Sequence, residues 1–162
     1  MKTIPLTRGQ VALVDDEDFA RFGNLKWHAL RDSRSGNFYA AHSGSKDENG
    51  KQHPVRLARE ILGITDPRVK VDHKNHHTLD CQRHNLRACT NAQNMANRMM
   101  DVRNTSGFRG VSWNSRDQRW QANISFNGKA IHIGNFIDKK EAAAAYADAN
   151  KKYFGEFGGN LS

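Results

Sequence analysis

Cysteine, long apolar runs and an apolar leader are what this sequence most clearly lacks. Its 162 residues contain two cysteines, Cys81 and Cys89, which form no CxxC pair. This excludes a disulfide scaffold and indicates a reducing, intracellular compartment. No run approaches the roughly 18 to 20 apolar residues that a membrane span needs, so we expect no membrane partner. The opening residues lack the apolar stretch of a secretory signal, so we do not expect secretion.

Positive charge is what the chain has in excess. It carries 25 Lys+Arg against 17 Asp+Glu, a formal net charge of +8, within an ordinary globular composition that is 37% apolar. The excess favours a polyanionic partner but does not separate DNA, RNA and acidic lipids. Every positive charge between Arg83 and Arg119 is an arginine, the side chain that binds phosphate and guanine edges bidentately. The alternative is an ordinary solvated basic surface.

The length of the chain allows one ordinary domain or two small ones, and the pattern of elements favours two. Strands are predicted at residues 11–14, 26–30, 37–42, 69–73 and 86–89, and helices at 16–22, 54–62 and 91–99, the last N-capped by Thr90. Residues 101–107 end in polar residues and lack a clear period. We therefore predict a linker at 101–107 between a domain at 1–100 and a second domain at 108–162.

The clearest periodicity lies in the second predicted domain. Alternate residues of one strand are apolar, namely Trp120, Ala122, Ile124 and Phe126. Their neighbours on the other face are polar, namely Arg119, Gln121, Asn123 and Ser125. Asn127-Gly128 predicts a hairpin turn, residues 109–114 predict a third strand, and Asp138 predicts the start of a helix. We therefore expect a three-stranded antiparallel sheet packed on one helix, with its polar face open to a ligand.

Residues 72–94 bring together a carboxylate, several imidazoles and several amides. Asp72 and the amide oxygen of Asn94 are ligands that suit a hard cation such as Mg²⁺. His73 titrates near neutrality and is the natural base for activating water in phosphodiester hydrolysis. Adjacent strand residues point to opposite faces. Asp72 and His73 therefore either serve one phosphate from different sides or lie at an irregular strand end.

Structural zinc is the competing interpretation of this segment. Six histidines and cysteines lie close together, namely His73, His76, His77, Cys81, His84 and Cys89. Zinc sites usually pair two cysteines closely, whereas seven residues separate these two. We therefore expect the loop histidines to be exposed to solvent and both cysteines to be buried as small hydrophobic residues.

The order of residues in this segment also matches a known motif. Val71-Asp72-His73-Lys74-Asn75 is followed by Leu79-Asp80, Arg83, Asn85-Leu86-Arg87, Thr90 and Asn94-Met95-Ala96-Asn97-Arg98. This order resembles the HNH endonuclease motif, in particular that of phage and intron homing endonucleases. The resemblance implies a ββα-metal fold with His73 as the general base. It further implies that Asp72 and Asn94 ligate the divalent ion and that Asn85 pins the loop and orients the histidine.

A second set of residues carries a second resemblance. It consists of Arg109-Gly110-Val111, Arg119-Trp120, Ile133-Gly134-Asn135-Phe136, Glu141-Ala142-Ala143 and Ala145-Tyr146. These residues resemble the plant ethylene-response-factor (Apetala-type) DNA-binding domain. The resemblance implies that the three-stranded sheet enters the major groove of DNA, consistent with the polar face of the predicted sheet.

Together these features predict a metal-dependent endonuclease that cuts double-stranded DNA with Mg²⁺ or Mn²⁺, located in the bacterial host cytoplasm if phage-encoded. The residues expected to contact DNA are Arg87, Asn97, Arg98, Arg103, Arg109, Arg116, Arg119, Gln121, Asn123 and His132. A monomer, which would nick one strand, is favoured over a dimer. One alternative is a DNA-binding regulator with a vestigial nuclease site. Another is an RNA-binding module, although the outer sheet face lacks an aromatic stacking run.

Overall fold

The computed structural model describes residues 1–97, 100 and 104–158 as a mixed α+β protein. The chain forms two compact units, Met1–Cys89 and Thr90–Ser162. The described residues build small antiparallel sheets and four α-helices, which confirms the predicted α+β class. No helix in this described part is long and apolar enough to cross a membrane.

The first unit, Met1–Cys89, contains three small antiparallel sheets and two helices. β1 (Lys2–Pro5) pairs with β2 (Val11–Val14). β3 (His28–Arg31), β4 (Phe38–Lys46) and β5 (Gln52–Arg56) form one sheet in that order. β6 (Lys70–His73) pairs with β7 (Leu86–Cys89). The helices are α1 (Asp16–Phe22) and α2 (Leu57–Leu62).

Local chemistry explains where the two helices of the first unit begin and end. Three acids occupy the first turn of α1, where carboxylates interact favourably with the positive end of the helix dipole. α2 ends at Gly63, whose φ of 64° is the left-handed conformation that glycine adopts without strain. Both helices pack on the core, whose centre includes Ile4, Val14 and Leu57, each at most 1% exposed.

The helix predicted at residues 54–62 begins later than the sequence indicates. Pro54 lies in β5, and α2 starts at Leu57. β5 is the edge strand of its sheet and pairs with β4 alone. Proline has no N–H to donate, so an edge strand tolerates it where a central strand would not. β5 therefore includes residues 54–56 of the predicted helix, and Arg56 is its last residue.

The second unit contains one sheet and two helices within its described residues. The elements are α3 (Asn91–Ala96), β8 (Val111–Asn114), β9 (Arg119–Phe126), β10 (Lys129–Phe136) and α4 (Lys139–Phe154). The strands are antiparallel in the order β10-β9-β8, and α4 packs on them, as the sequence predicts. Asn127 and Gly128 have φ values of 49° and 76°, which suit a tight hairpin turn. Asp138 caps α4 by accepting backbone hydrogen bonds from Lys140 and Glu141.

The division between the units falls between Cys89 and Thr90, ahead of the linker predicted at residues 101–107. The reason is α3. Its Ala96 is 8% exposed and belongs to the same buried cluster as Val111 and Tyr146. The domain limits predicted at 1–100 and 108–162 therefore differ from the compact units, because α3 packs with the second unit. Residues 101–103 of the predicted linker lie outside the described residues.

We expect Gly110→Ala to destabilise the second unit far more than Gly107→Ala. Both glycines have positive φ, 67° and 75°, so each alanine brings left-handed strain of about 1–2 kcal/mol. A Cβ on Gly110 would also lie 2.0 Å from the ring of Tyr146, whereas one on Gly107 meets nothing within 4 Å. The clash should add on the order of 1–3 kcal/mol. Urea unfolding of both variants measures the difference, and equal losses would contradict the packing described.

Candidate functional site

The hairpin of β6 and β7 carries the residues predicted to do chemistry. Asp72 lies directly opposite Arg87 in the ladder, and His73 lies opposite Leu86. Directly opposed residues share a face, so Asp72 and His73 lie on opposite faces of a regular pair of strands. The strand is thus regular at these two residues, and their joint action on one phosphate stays a prediction. Both side chains are buried, each residue being 6% exposed.

The carboxylate of Asp72 is held by the guanidinium of Arg87. Nε and Nη2 of Arg87 both lie 2.7 Å from Oδ2 of Asp72. The two side chains are only 7% and 11% exposed, so each charge depends on the other for compensation. Arg87 was expected to contact DNA. The structure places it as the partner of Asp72, and a DNA contact by Arg87 stays a prediction.

His73 lies on the face of the hairpin that includes Leu86, a residue of the core. Its ring is 6.2 Å, centroid to centroid, from the ring of Tyr39 on β4. Burial lowers the pKa of His73 to about 4, although the negative charges of Asp72 and Asp80 oppose this change. The imidazole is therefore neutral at pH 7, which is the form that accepts a proton.

Asn85 holds together the two ends of the loop at residues 74–85. It is 2% exposed, and its Oδ1 accepts a hydrogen bond of 3.0 Å from the backbone N–H of Asn75. Its Nδ2 donates to the backbone oxygen of Asp80 at 2.8 Å. The backbone oxygen of Asn85 also accepts from the N–H of Lys74 at 2.9 Å. These bonds fix the chain that follows His73.

The same loop is fastened to the N-terminal elements. The backbone of Leu13 in β2 exchanges hydrogen bonds with Leu79 and Cys81, both of 2.9 Å. Asp18 of α1 is fully buried, and its Oδ1 lies 2.7 Å from Nη2 of Arg83. The loop is thus attached on two sides, which stabilises the position of the hairpin.

Asn94 lies on α3, which belongs to the second unit. It is half-buried. Thr90 caps this helix as predicted, because its side chain accepts from the N–H of Gln93 while Gln93 bonds back to the N–H of Thr90. Asp72 and Asn94 supply a carboxylate and an amide oxygen, the donors that hard divalent cations prefer. Their chemistry fits such an ion, and their joint action on one ion stays a prediction.

The cysteines and the loop histidines do not assemble a zinc site in the described part of the chain. No group of three or more His, Cys, Asp and Glu side chains there could hold a metal ion. Cys81 and Cys89 are buried as predicted. Burial raises the pKa of Cys81 to about 12 and that of Cys89 to about 11, so both are neutral thiols at pH 7. His77 and His84 are exposed as expected, whereas His76 is half-buried.

The outer face of the sheet in the second unit carries the polar residues predicted to read DNA. Arg119 and His132 are exposed, and Gln121 and Asn123 are half-buried on the same face of β9 and β10. His132 Nδ1 lies 3.0 Å from Oδ1 of Asn123. Arg116 is exposed in the turn that precedes β9.

Four other residues are expected to contact DNA, and the structure describes two of them, Arg109 and Asn97. Arg109 donates from its guanidinium to the backbone oxygens of Met95 and Ala96, at the C-terminus of α3. Asn97 follows α3 and is 4% exposed, so little of its surface faces solvent. Arg98 and Arg103 lie outside the described residues. The DNA contacts of all four stay predictions.

The sequence did not indicate a functional role for two residues near His73. Tyr39 belongs to a short predicted strand, and Arg56 belongs to the helix predicted at residues 54–62. The contact of Tyr39 with His73 and that of Arg56 with Tyr39 join parts of the chain that are distant in sequence. Local periodicity cannot find such a cluster.

Comparison with known proteins gives this chain no family. No family model matches it, and no curated protein matches it at a significant level. The two resemblances therefore depend on the order of a few residues in the sequence, and any proposal for the function depends on the geometry of the site.

We expect the free energy of unfolding to fall below pH 6.5 because of His73. The pKa of His73 is about 4 when folded, against an ordinary 6.5, so the unfolded chain binds the proton first. Stability is full above pH 6.5 and is lost as the pH falls towards 4. Between pH 7.5 and 5, urea unfolding with a chelator should show a loss roughly 2 kcal/mol larger for the parent than for His73→Gln. Parallel losses would contradict the burial of a neutral imidazole.

Proposed function

We propose that the chain is an HNH-type, metal-dependent endonuclease that hydrolyses phosphodiester bonds of duplex DNA, of the phage or intron homing kind. The observation that carries this proposal is the hairpin of β6 and β7. It holds a buried neutral His73 next to a buried carboxylate, Asp72, and its loop is closed by the side chain of Asn85. In the proposal β6, β7 and α3 correspond to the ββα-metal finger.

His73 acts as the general base in this mechanism. One imidazole nitrogen takes a proton from a water molecule, whose oxygen forms a new bond to phosphorus. The ester bond between phosphorus and the leaving oxygen breaks, and that oxygen takes a proton from solvent. Asn85 acts as a positioning residue, because its hydrogen bonds to Asn75 and Asp80 fix the backbone after His73. Burial keeps the imidazole neutral and ready at pH 7.

A divalent cation such as Mg²⁺ or Mn²⁺, when bound, would neutralise charge on the phosphate and the leaving oxygen. Asp72 and Asn94 would hold it. Arg87 orients the carboxylate of Asp72 through contacts of 2.7 Å. In this mechanism Arg87 takes no part in the reaction itself and only positions the proposed metal ligand.

The second unit supplies DNA binding in this proposal. Its sheet presents Arg119, Gln121, Asn123 and His132 on one face, a set of donors and acceptors suited to base edges and phosphates. The net charge of +8 supports a phosphate-binding surface. Duplex DNA is therefore the proposed partner, and a monomer with one such site per chain would nick one strand.

A DNA-binding regulator with a vestigial nuclease site is the second candidate. The observation that favours it is the ion pair of Asp72 with Arg87, because the arginine competes with a cation for the same carboxylate. Binding of duplex DNA without cleavage of any substrate in Mg²⁺ or Mn²⁺ would support this second function.

His73→Ala should nearly abolish cleavage, because loss of a general base typically costs about 10²–10⁴-fold in rate. The matched control is His77→Ala, which removes an exposed histidine of the same loop. Nicking of supercoiled plasmid in Mg²⁺ measures both rates, and gel shift measures DNA binding. We expect His77→Ala to cleave at the parental rate and both variants to bind DNA. A parental cleavage rate in His73→Ala would show that the base is wrongly assigned.

Asn94→Ala should weaken divalent-ion binding, because it removes one of the two proposed oxygen ligands. Its control is Asn91→Ala, an exposed asparagine on the same helix. Electron paramagnetic resonance of Mn²⁺ should show affinity at least about tenfold lower in Asn94→Ala than in the control. Cleavage should fall while DNA binding is retained. Equal Mn²⁺ affinities would remove Asn94 from the metal site.

A further inference from the structure

Arg56 lies beside the proposed catalytic hairpin and has no role in the mechanism given above. It is the last residue of β5 and is half-buried. The central carbon of its guanidinium lies 4.0 Å from the centroid of the Tyr39 ring. Tyr39 in turn contacts the ring of His73, at 6.2 Å between centroids. The phenol ring therefore links the arginine to the proposed base.

The guanidinium of Arg56 differs from its neighbours in having no anionic or carbonyl partner among the described residues. Arg83 and Arg87 are paired with Asp18 and Asp72, and Arg59 donates to backbone oxygens. The remaining arginines of the first unit without such side-chain partners, Arg8, Arg31 and Arg34, are all exposed. Within Met1–Cys89, Arg56 is thus the half-buried arginine whose guanidinium has neither a hydrogen-bond acceptor nor an ion-pair partner.

The charge of Arg56 helps to lower the pKa of Asp32, after the hydrogen bonds from Ser35 and Arg34, but the side chains of Arg56 and Asp32 form no hydrogen bond or ion pair. Oδ1 of Asp32 accepts hydrogen bonds from the backbone N–H groups of Arg34 and Ser35 and from the Ser35 hydroxyl. The attraction of a cation to an aromatic ring offsets only part of the loss of hydration. An anion that reaches Arg56 would complete its interactions.

The charge of Arg56 also acts on His73. Burial is the main cause of the lowered pKa of His73, and the positive charge of Arg56 adds to it. The contacts of Arg56 with Tyr39 and of Tyr39 with His73 place the arginine near the imidazole. A phosphate attacked by a water next to His73 would lie near the same cation.

We propose that Arg56 is a catalytic residue that binds the phosphate undergoing hydrolysis, with Tyr39 as the positioning residue that holds its guanidinium. This inference rests on the proposed nuclease function. As the bond from water to phosphorus forms and the ester bond breaks, negative charge grows on the phosphoryl oxygens. The guanidinium donates N–H groups to those oxygens and gives up no proton, and the proton of the water still passes to His73.

The test compares plasmid nicking by Arg56→Gln with that by Arg34→Gln in Mg²⁺. Both substitutions remove one positive charge from the first unit, but Arg34 is exposed in a turn. We expect kcat to fall about 10²–10³-fold in Arg56→Gln, as for the loss of other transition-state donors. KM should change by less than about threefold, because the many other phosphate contacts of the DNA remain. Arg34→Gln should keep the parental kcat.

Conservative variants separate a catalytic role from a structural one. Arg56→Lys keeps the charge but loses the planar fork, so kcat should recover in part. Tyr39→Leu should lower kcat about tenfold or more through loss of the stacked position, and Tyr39→Phe, which keeps the ring, should lose less than Tyr39→Leu. Thermal unfolding of each variant serves as the measure of stability.

The outcomes distinguish this inference from the function on which it rests. If the parent and Arg34→Gln cleave and Arg56→Gln cleaves equally fast, the inference is wrong and the nuclease function stands. A loss of kcat that follows the loss of melting temperature across all four variants of Arg56 and Tyr39 also overturns it, because the cluster would then be structural. If the parent cleaves no DNA with Mg²⁺ or Mn²⁺, both proposals fail.

Discussion

The two side-chain hydrogen bonds of buried Asn85 are the constraint on which the site of the first unit depends. They join the N–H of Asn75 to the backbone oxygen of Asp80, and so close the loop between β6 and β7. A buried amide must satisfy both of its ends, because an unmade hydrogen bond in the interior costs about 1–3 kcal/mol. These bonds stabilise the closed conformation of the loop. His73 and Asp72 lie immediately before it, paired with Leu86 and Arg87 of β7.

Burial then determines the charges of the residues that Asn85 positions. Asp72 is buried as a carboxylate only because Arg87 compensates it at 2.7 Å. Burial makes His73 a neutral imidazole at pH 7. Arg56 lies over the ring of Tyr39 and forms no ion pair with a carboxylate of the described residues. A neutral base near such a cation suits an anionic ester.

Local patterns predicted most of the fold, because local physics determines those elements. Alternation in β9, the Asn127–Gly128 turn and the cap at Asp138 each act within a few residues, and all three occur in the structure. The same reasoning predicted that Cys81 and Cys89 are buried. It did not find the edge position of Pro54, the packing of α3 with the second unit, or the pairing of Arg87 with Asp72. These features depend on which strands pair and which charged side chains come together when the chain folds. The residues next to a position in the sequence do not determine such contacts. The cluster of Tyr39, Arg56 and His73 was missed for the same reason.

The central claim is that this chain hydrolyses phosphodiester bonds of duplex DNA with a divalent cation. The most direct measurement incubates the full parental chain with a library of random-sequence plasmids, in Mg²⁺ and separately in a chelator, and maps new DNA ends on each strand by sequencing. The account predicts ends that require the cation, recur at preferred positions and fall on one strand at each position. Ends no more frequent in Mg²⁺ or Mn²⁺ than in the chelator, from a chain that still binds the same plasmids, would contradict it.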